Sequence, residues 1–343
     1  MWLDDSDRAA TPVVGNILLV AVALVIAVAL ITLTFAFLED TGAPTPDAAF
    51  EYERTAAGLK MTPQALGTDV IVQLNGEPIA SIDGDAAGQP VLVPTAPGDT
   101  ITVVSEDEDR QVLISREIDS RSEIGDFIAY YTFDSGSNDT LKDRSGNGND
   151  GDITQANVTG TEYPRRTGDA LRFDGGADDH VYVSNLSAPV DVEEFTVAVA
   201  YKQRGNTSSN DGVSQLVEHQ FQGNTNEWYL ETSEAGDGAT SSNNYSIDYA
   251  VEFDEEVIAS DTVERETRHV AVGTYDGEEY ALYVDGNQEG TGEHNRTVNM
   301  GDMRIAEDFE QDNQHFDGDI YEIRLYYTAF ESEEVAVITN AMS

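Results

Sequence analysis

There is no cysteine among the 343 residues. That excludes disulfides, thiolate nucleophiles and Cys-ligated zinc or iron–sulfur sites. Lysine is nearly missing too, present only at Lys60, Lys142 and Lys202, and 18 Lys plus Arg face 65 Asp plus Glu for a formal net charge of −47. Nucleic acid is excluded as a partner by this balance, because following a phosphate backbone needs clustered Lys and Arg. No Gly-x-Ser-x-Gly elbow and no His pair at metal-ligand spacing occurs; His180, His219, His269, His294 and His315 are scattered. The Glu-x-Asp-x-x-Glu arrangement of strand-borne retaining glycosidases is also absent. Its nearest approach is Asp317, Asp319 and Glu322, where strict alternation puts the first two on one face of a strand and Glu322 on the other. The expectation is a chain that is not an enzyme.

What is present excludes disorder. Hydrophobic residues make up 40% of the chain, and they fall in strand-like alternation, so a core can be buried. A charge of this size strains a compact fold through self-repulsion at ordinary salt. At about 1 M salt the Debye length falls to roughly 3 Å and most of that repulsion is screened. The acid-rich, Lys-poor composition resembles that of haloarchaeal proteins.

One long hydrophobic run exists, and what precedes it is informative. Arg8-Ala9-Ala10-Thr11-Pro12-Val13-Val14-Gly15 leads into an apolar stretch that reaches Leu38. A conventional secretory signal has its small-residue cleavage site after the apolar stretch; here the small residues come first. Cleavage after Ala9 would keep the helix. Pro12 sits where a first-turn proline is tolerated, and the run to Leu38, at about 1.5 Å per residue, reaches roughly 40 Å, enough to span a bilayer. Ala23 and Ala27 give a spacing that lets helices approach closely, and Asn16 is polar within the segment, as in a helix–helix hydrogen bond. This pattern resembles the class III signal of archaeal type IV pilins. The resemblance implies processing at Arg8, Ala9 and Ala10 by a prepilin peptidase. It also implies a membrane-anchored precursor and assembly with other pilin subunits through a helix that includes Pro12, Gly15, Asn16, Ala23 and Ala27. The alternative on the same residues is a single-span anchor for a domain that never polymerises.

Beyond a Pro-containing linker the period changes to two. Val70, Val72 and Leu74 alternate with Ile71, Gln73 and Asn75, and Asn75-Gly76 marks a hairpin. Further on, Phe127–Asp134, the turn-rich Asp143–Gly151, Gly168–Gly175, Asp179–Val183, Phe195–Lys202, Arg268–Gly277, Tyr280–Gly286 and Phe316–Tyr326 follow in order. Together these segments resemble a concanavalin A-like domain of the laminin G/pentraxin type, a jelly roll of two packed sheets. Tyr201 stands where the family commonly has Trp, and Glu331 stands where it commonly caps its terminal helical turn with Ser. The expected fold is mainly β. It comprises a leader over 1–9, one long hydrophobic α-helix over 10–40, a linker over 41–49, a small pilin-type β domain over 50–120 and a concanavalin A-like β-sandwich over 121–343.

Site expectations follow from that resemblance. Laminin G and pentraxin relatives hold Ca²⁺ at loop carboxylates, which implies a site drawn from Asp174, Asp178, Asp179, Asp134 and Asp319. Carbohydrate recognition adds an exposed aromatic for stacking, for which Trp228, Tyr229 and Tyr245 are the candidates; packing in the core is their other reading. Six sequons, at Asn138, Asn157, Asn185, Asn206, Asn244 and Asn295, all fall in the last domain. The functional expectation is a cell-surface, pilin-like glycoprotein whose outer module adheres to carbohydrate or glycoprotein. A membrane-anchored lectin-like receptor and a surface glycoside hydrolase are the alternatives.

Overall fold

The computed structural model describes residues 48–86, 88–106, 110–119, 123–133, 139–153, 164–176, 179–186, 192–205, 212–221, 225–233, 244–251, 257–294, 298, 300–309 and 314–343. The expected leader, long helix and nearly all of the linker lie outside them. Among the described residues no helix is long and apolar enough to cross a membrane.

The described residues form 23 strands and one helix. The first seven strands are β1 (Ala48–Thr55), β2 (Gly58–Leu66), β3 (Val70–Leu74), β4 (Glu77–Ile82), β5 (Val91–Val93), β6 (Thr100–Ser105) and β7 (Val112–Glu117). They make a three-stranded sheet, β1-β2-β5, and a four-stranded one, β4-β3-β6-β7. Asn75 and Gly76 both take positive φ between β3 and β4, as a primed hairpin turn requires.

The sandwich follows: β8 (Phe127–Thr132), β9 (Thr140–Leu141), β10 (Gly151–Asp152), β11 (Arg165–Arg166), β12 (Leu171–Asp174), β13 (Val181–Val183), β14 (Phe195–Gln203) and β15 (Val213–Phe221). Then come β16 (Thr225–Ser233), β17 (Asn244–Val251), β18 (Val257–Glu264), β19 (His269–Tyr275), β20 (Glu279–Val284), β21 (Asn287–Glu293), β22 (Asp302–Ile305), β23 (Asp317–Tyr326) and α1 (Ser332–Met342). The front sheet runs β18-β17-β16-β15-β22-β13-β10-β9. The back sheet runs β11-β12-β23-β14-β19-β20-β21, with β8 on β23. Both are antiparallel throughout, and their inner faces enclose one core around Phe133, Phe173, Phe195, Trp228 and Phe316. The chain is mainly β with a jelly-roll, concanavalin-like sandwich.

The back sheet is covered on its other side as well. Ala198, Ala200, Val270, Val272 and Ala281 share a second core with Leu59, Met61, Val72 and Val93 of the small sheets and with Val335, Ile338 and Met342 of α1. The whole of β14 from Phe195 to Tyr201 is buried, not only alternate residues. Strands enclosed on both faces read as continuous apolar runs, and alanines at the outward positions leave room for the cover. Arg324 lies 3% exposed at this junction, its Nε on Glu322 at 2.6 Å and its Nη1 donating to the Pro94 carbonyl. Glu331 caps α1 through a reciprocal capping box with Glu334, doing the work expected of a Ser.

Candidate carbohydrate-binding face

The middle of the back sheet is covered, and the outer side of the front sheet carries partly exposed side chains. Strand register places one row of side chains across it: Thr140, Asp152, Tyr182, Arg304, Glu218, Tyr229 and Ala250, each directly opposite the next. The neighbours along each strand fix the direction. Val181 and Val183, Met303 and Ile305, and Trp228 and Leu230 all belong to the inner core, so Tyr182, Arg304 and Tyr229 face away from it. Exposure falls along the row: Thr140, Asp152, Tyr182 and Arg304 are partly exposed, whereas Glu218 and Tyr229 are buried.

At the exposed end the groups are held in place. The Tyr182 hydroxyl donates to Asp302 Oδ2 at 2.6 Å, and the other carboxylate oxygen accepts the Asn185 N–H at 2.7 Å. Burial, then the hydrogen bond to Asp302, pushes the Tyr182 phenol up to about 12. The Phe309 ring meets Tyr182 edge-on at 6.4 Å, and the Arg304 guanidinium lies 4.6 Å over the Phe309 ring. Phe309 is fixed in turn, because its N–H donates to Glu218 Oε2 at 2.7 Å and Arg304 donates to the Asp308 carbonyl at 2.8 Å. Beneath it Glu307 is drawn to His180 at 2.6 Å and to Arg304 at 3.2 Å. Burial opposes ionisation of Glu307, but the hydrogen bond and charge of His180, with Arg304 and His315, outweigh it and hold the carboxyl below its usual range. Beside Tyr182 opens a depression of 380 Å³ lined by Asp139, Thr140, Asp150, Gly151 and Asp152. Two partly exposed aromatics, fixed acceptors and an open depression can together hold a sugar ring by stacking and hydroxyl bonds.

The aromatics expected from sequence are placed differently. Trp228 is fully buried, stacked on His219 with centroids 5.4 Å apart, and Tyr245 is buried with its hydroxyl donating to that of Tyr201 at 3.0 Å. Tyr229 does lie on the front face but is only 7% exposed. None offers an open ring. Tyr182 and Phe309 do, and the signal that could have found them is weak: Tyr182 sits outward in Val-Tyr-Val, and Phe309 follows an acidic turn.

The carboxylates also disperse. Asp319 is in the back sheet, bonded by Arg172 and by Arg204 Nη2 at 2.6 Å, with Lys202 at 3.4 Å. Burial raises the Asp319 carboxyl, but the bonds from Arg172 and Arg204 prevail and hold it below its ordinary value. An oxygen pair already facing cations does not fit a Ca²⁺ ligand. Asp174 accepts the Gly176 N–H at 3.1 Å, and Asp179 Oδ2 accepts the Asp174 N–H at 3.5 Å. Asp134 and Asp178 lie outside the described residues. Among the described residues no group of three or more His, Asp or Glu is placed to hold a metal ion. Asp143, in the turn-rich loop, bonds the N–H groups of Tyr130, Ser145 and Asn149 and so shapes that loop.

Glu322 corrects the alternation argument. A bulge in β23 pairs Ile320 with Tyr201 and Glu322 with Ala200, so Tyr321 is the extra residue. Glu322 therefore shares the outer face with Asp317 and Asp319. It is bound to Arg324 beneath the small sheets, so the three carboxylates still do not meet over one substrate.

Of the sequons, Asn138, Asn157, Asn206 and Asn295 lie outside the described residues, Asn244 opens β17, and Asn185 is exposed on a turn at φ 53°. A groove of 570 Å³ between the small sheets and α1 is lined by Ile79, Val91, Leu92, Ala336 and Val337 among others, mostly apolar.

Residues 174–336 match the family model described as the concanavalin A-like lectin/glucanases superfamily, laminin G type. Over those residues the sandwich is similar to laminin G/concanavalin A-like domains. No curated protein matches the chain. Similar solved structures include a heptameric SAP-like pentraxin from Limulus polyphemus, at 12% identity over 49% of this chain and 80% of that one, with a TM-score of 0.40. The botulinum neurotoxin serotype D binding domain is similar at 12% identity, 63% and 51% coverage and a TM-score of 0.47; the chain spans about half its length. Domain 4 of an extracellular arabinanase from Geobacillus stearothermophilus, in complex with arabinotriose, is similar at 16% identity, 62% and 98% coverage and a TM-score of 0.47.

Proposed function

We propose that this chain is a cell-surface, pilin-like subunit that carries a carbohydrate-binding module outward. The observation behind the binding reading is the Tyr182–Phe309 pair on the outer face of the front sheet, in a lectin-type sandwich whose other sheet is covered. The anchoring reading rests on Arg8-Ala9-Ala10 before an apolar run. In it a prepilin peptidase frees Ala10, and the retained helix passes from the membrane into a filament core with other subunits. The module then meets carbohydrate or glycoprotein on another surface, and the chain does no covalent chemistry.

Two measurements test this. Tyr182→Ala and Phe309→Ala should each weaken glycan binding about fivefold or more, since a stacked ring contributes roughly 1 kcal/mol or more, with the circular dichroism spectrum unchanged. Unaltered binding in both would remove the site. Mass spectrometry of N-terminal peptides from sheared filaments should find Ala10 as the first residue. An intact Met1, confined to membranes, would leave a tethered lectin that never polymerises.

A further inference from the structure

One sequon borders the front-sheet face. Asn185-Leu186-Ser187 begins two residues after β13, and Asn185 is exposed on its turn at φ 53°, a left-handed conformation that Asn tolerates. The backbone of the turn is anchored at two successive residues. The Asn185 N–H donates to Asp302 Oδ1 at 2.7 Å, and the N–H of buried Leu186 donates to the Gly301 carbonyl at 2.7 Å. The Asn185 side-chain amide, by contrast, has no hydrogen-bond partner among the described residues. The other oxygen of the same Asp302 carboxylate accepts the Tyr182 hydroxyl at 2.6 Å. One side chain therefore separates the root of a glycan on Asn185 from the Tyr182–Phe309 pair. Asn244, the other sequon Asn among the described residues, lies in β17, with β16, β15 and β22 between it and β13.

We propose that Asn185 is N-glycosylated and that its glycan covers the Tyr182–Phe309 pair, so that the unmodified chain has an open face and the modified chain a masked one. The masking rests on the reading of that face as the carbohydrate-binding surface, and adds a means of controlling it. In the transfer, Asn185 Nδ2 bonds to the anomeric carbon of an oligosaccharide carried on a lipid phosphate. The bond from that carbon to the phosphate oxygen breaks, the lipid phosphate leaves with the electron pair, and the amide nitrogen gives up one proton. A glycan on a fixed root is a tethered ligand, present at an effective concentration on the order of 1 mM. Where the face binds such a sugar with a Kd of about 0.1 mM, mass action leaves roughly a tenth of it open.

The test starts with mass spectrometry of the Asn185 peptide from the full chain isolated from its natural host, where a glycan mass is expected. Ser187→Ala ends the sequon and leaves Asn185 in place; Asn185→Gly removes the acceptor and suits the positive φ. Both variants should lose the glycan mass. By calorimetry against a panel of neutral and acidic oligosaccharides, both should bind about tenfold more tightly than the parent chain. Tyr182→Ala added to Ser187→Ala should cancel that gain. A parent peptide without glycan overturns the inference, and so does a glycosylated parent whose affinity matches that of both variants. Either result, with binding observed, leaves the lectin reading standing. If no chain, with or without the glycan, binds any oligosaccharide of the panel, the lectin reading fails and the masking fails with it.

Discussion

Two histidines show how far the same side chain is driven apart by its surroundings. His219 is fully buried between Trp228 and the Gly301 N–H that its Nε2 accepts, and burial pushes its pKa down to about 3. His269 is 2.8 Å from Asp285 and 3.1 Å from the Glu264 carbonyl; burial opposes its charge, but those partners prevail and raise its pKa. The signs are opposite. Between about pH 6.5 and 3 the unfolded chain protonates His219 and the folded one does not, so stability falls as pH drops through that window, by up to roughly 5 kcal/mol. For His269 the stabilisation is complete below about pH 6.5 and is lost as pH rises through its raised folded value. Proton NMR of the ring C–H signals should find His219 without a titration step above pH 4 and His269 titrating above 6.5. A His219 step near 6.5 would mean an open core at that point. The sequence shows His269 only as one of five scattered histidines, because its partner Asp285 is 16 residues away and is brought to it by the β19–β20 pairing.

Asp319 acts between elements. It sits in β23 opposite Arg172 of β12 and Lys202 of β14, with Arg204 just past the end of β14, so one carboxylate ties three strands at their common end. Its side chain is 3% exposed. Removing it leaves three cations facing one another, and breaking a buried pair costs about 3–5 kcal/mol. Asp319→Ala should lower stability by about that amount, equally with and without chelator; a loss that disappears in EDTA would return Asp319 to the Ca²⁺ ligands. The same strands show what a sequence can and cannot convey. The Asn75-Gly76 hairpin was legible from local chemistry, positive φ at a two-residue turn, whereas the sandwich and its terminal helical turn were legible through the resemblance of the strand segments, in order, to a known family. The face of Glu322 was not, because a single bulge at Tyr321 reverses it. Nor was the position of Trp228: an aromatic in a strand reads the same whether it packs inward or faces a ligand.

At the scale of the molecule, the small sheets, the back sheet and α1 share one apolar core. Both sides of that core are needed to keep it dry. The full chain should therefore melt as one cooperative transition, with calorimetric and van't Hoff enthalpies equal. Residues 121–343 made alone should expose Ala198, Ala200, Val270 and Val272 and aggregate. Two resolved transitions in the full chain would mean two separable units. The melting temperature should rise from low salt to about 1 M, as self-repulsion is screened. The strand periods over 48–117 and 127–326 were readable as two β regions, but their fusion was not, since apolar residues on both faces of β14 look like a strand with one good face and some alanines.

The covered back sheet also has a mechanical meaning. Ala48 opens β1 on the side of the small sheets, while the Tyr182–Phe309 pair lies across the sandwich from them. A pull between a held ligand and the chain's N-terminal side passes through the two cores in series. With a buried interface in place of a hinge, the body transmits that tension as one stiff link, and gives way by rupture instead of by gradual extension.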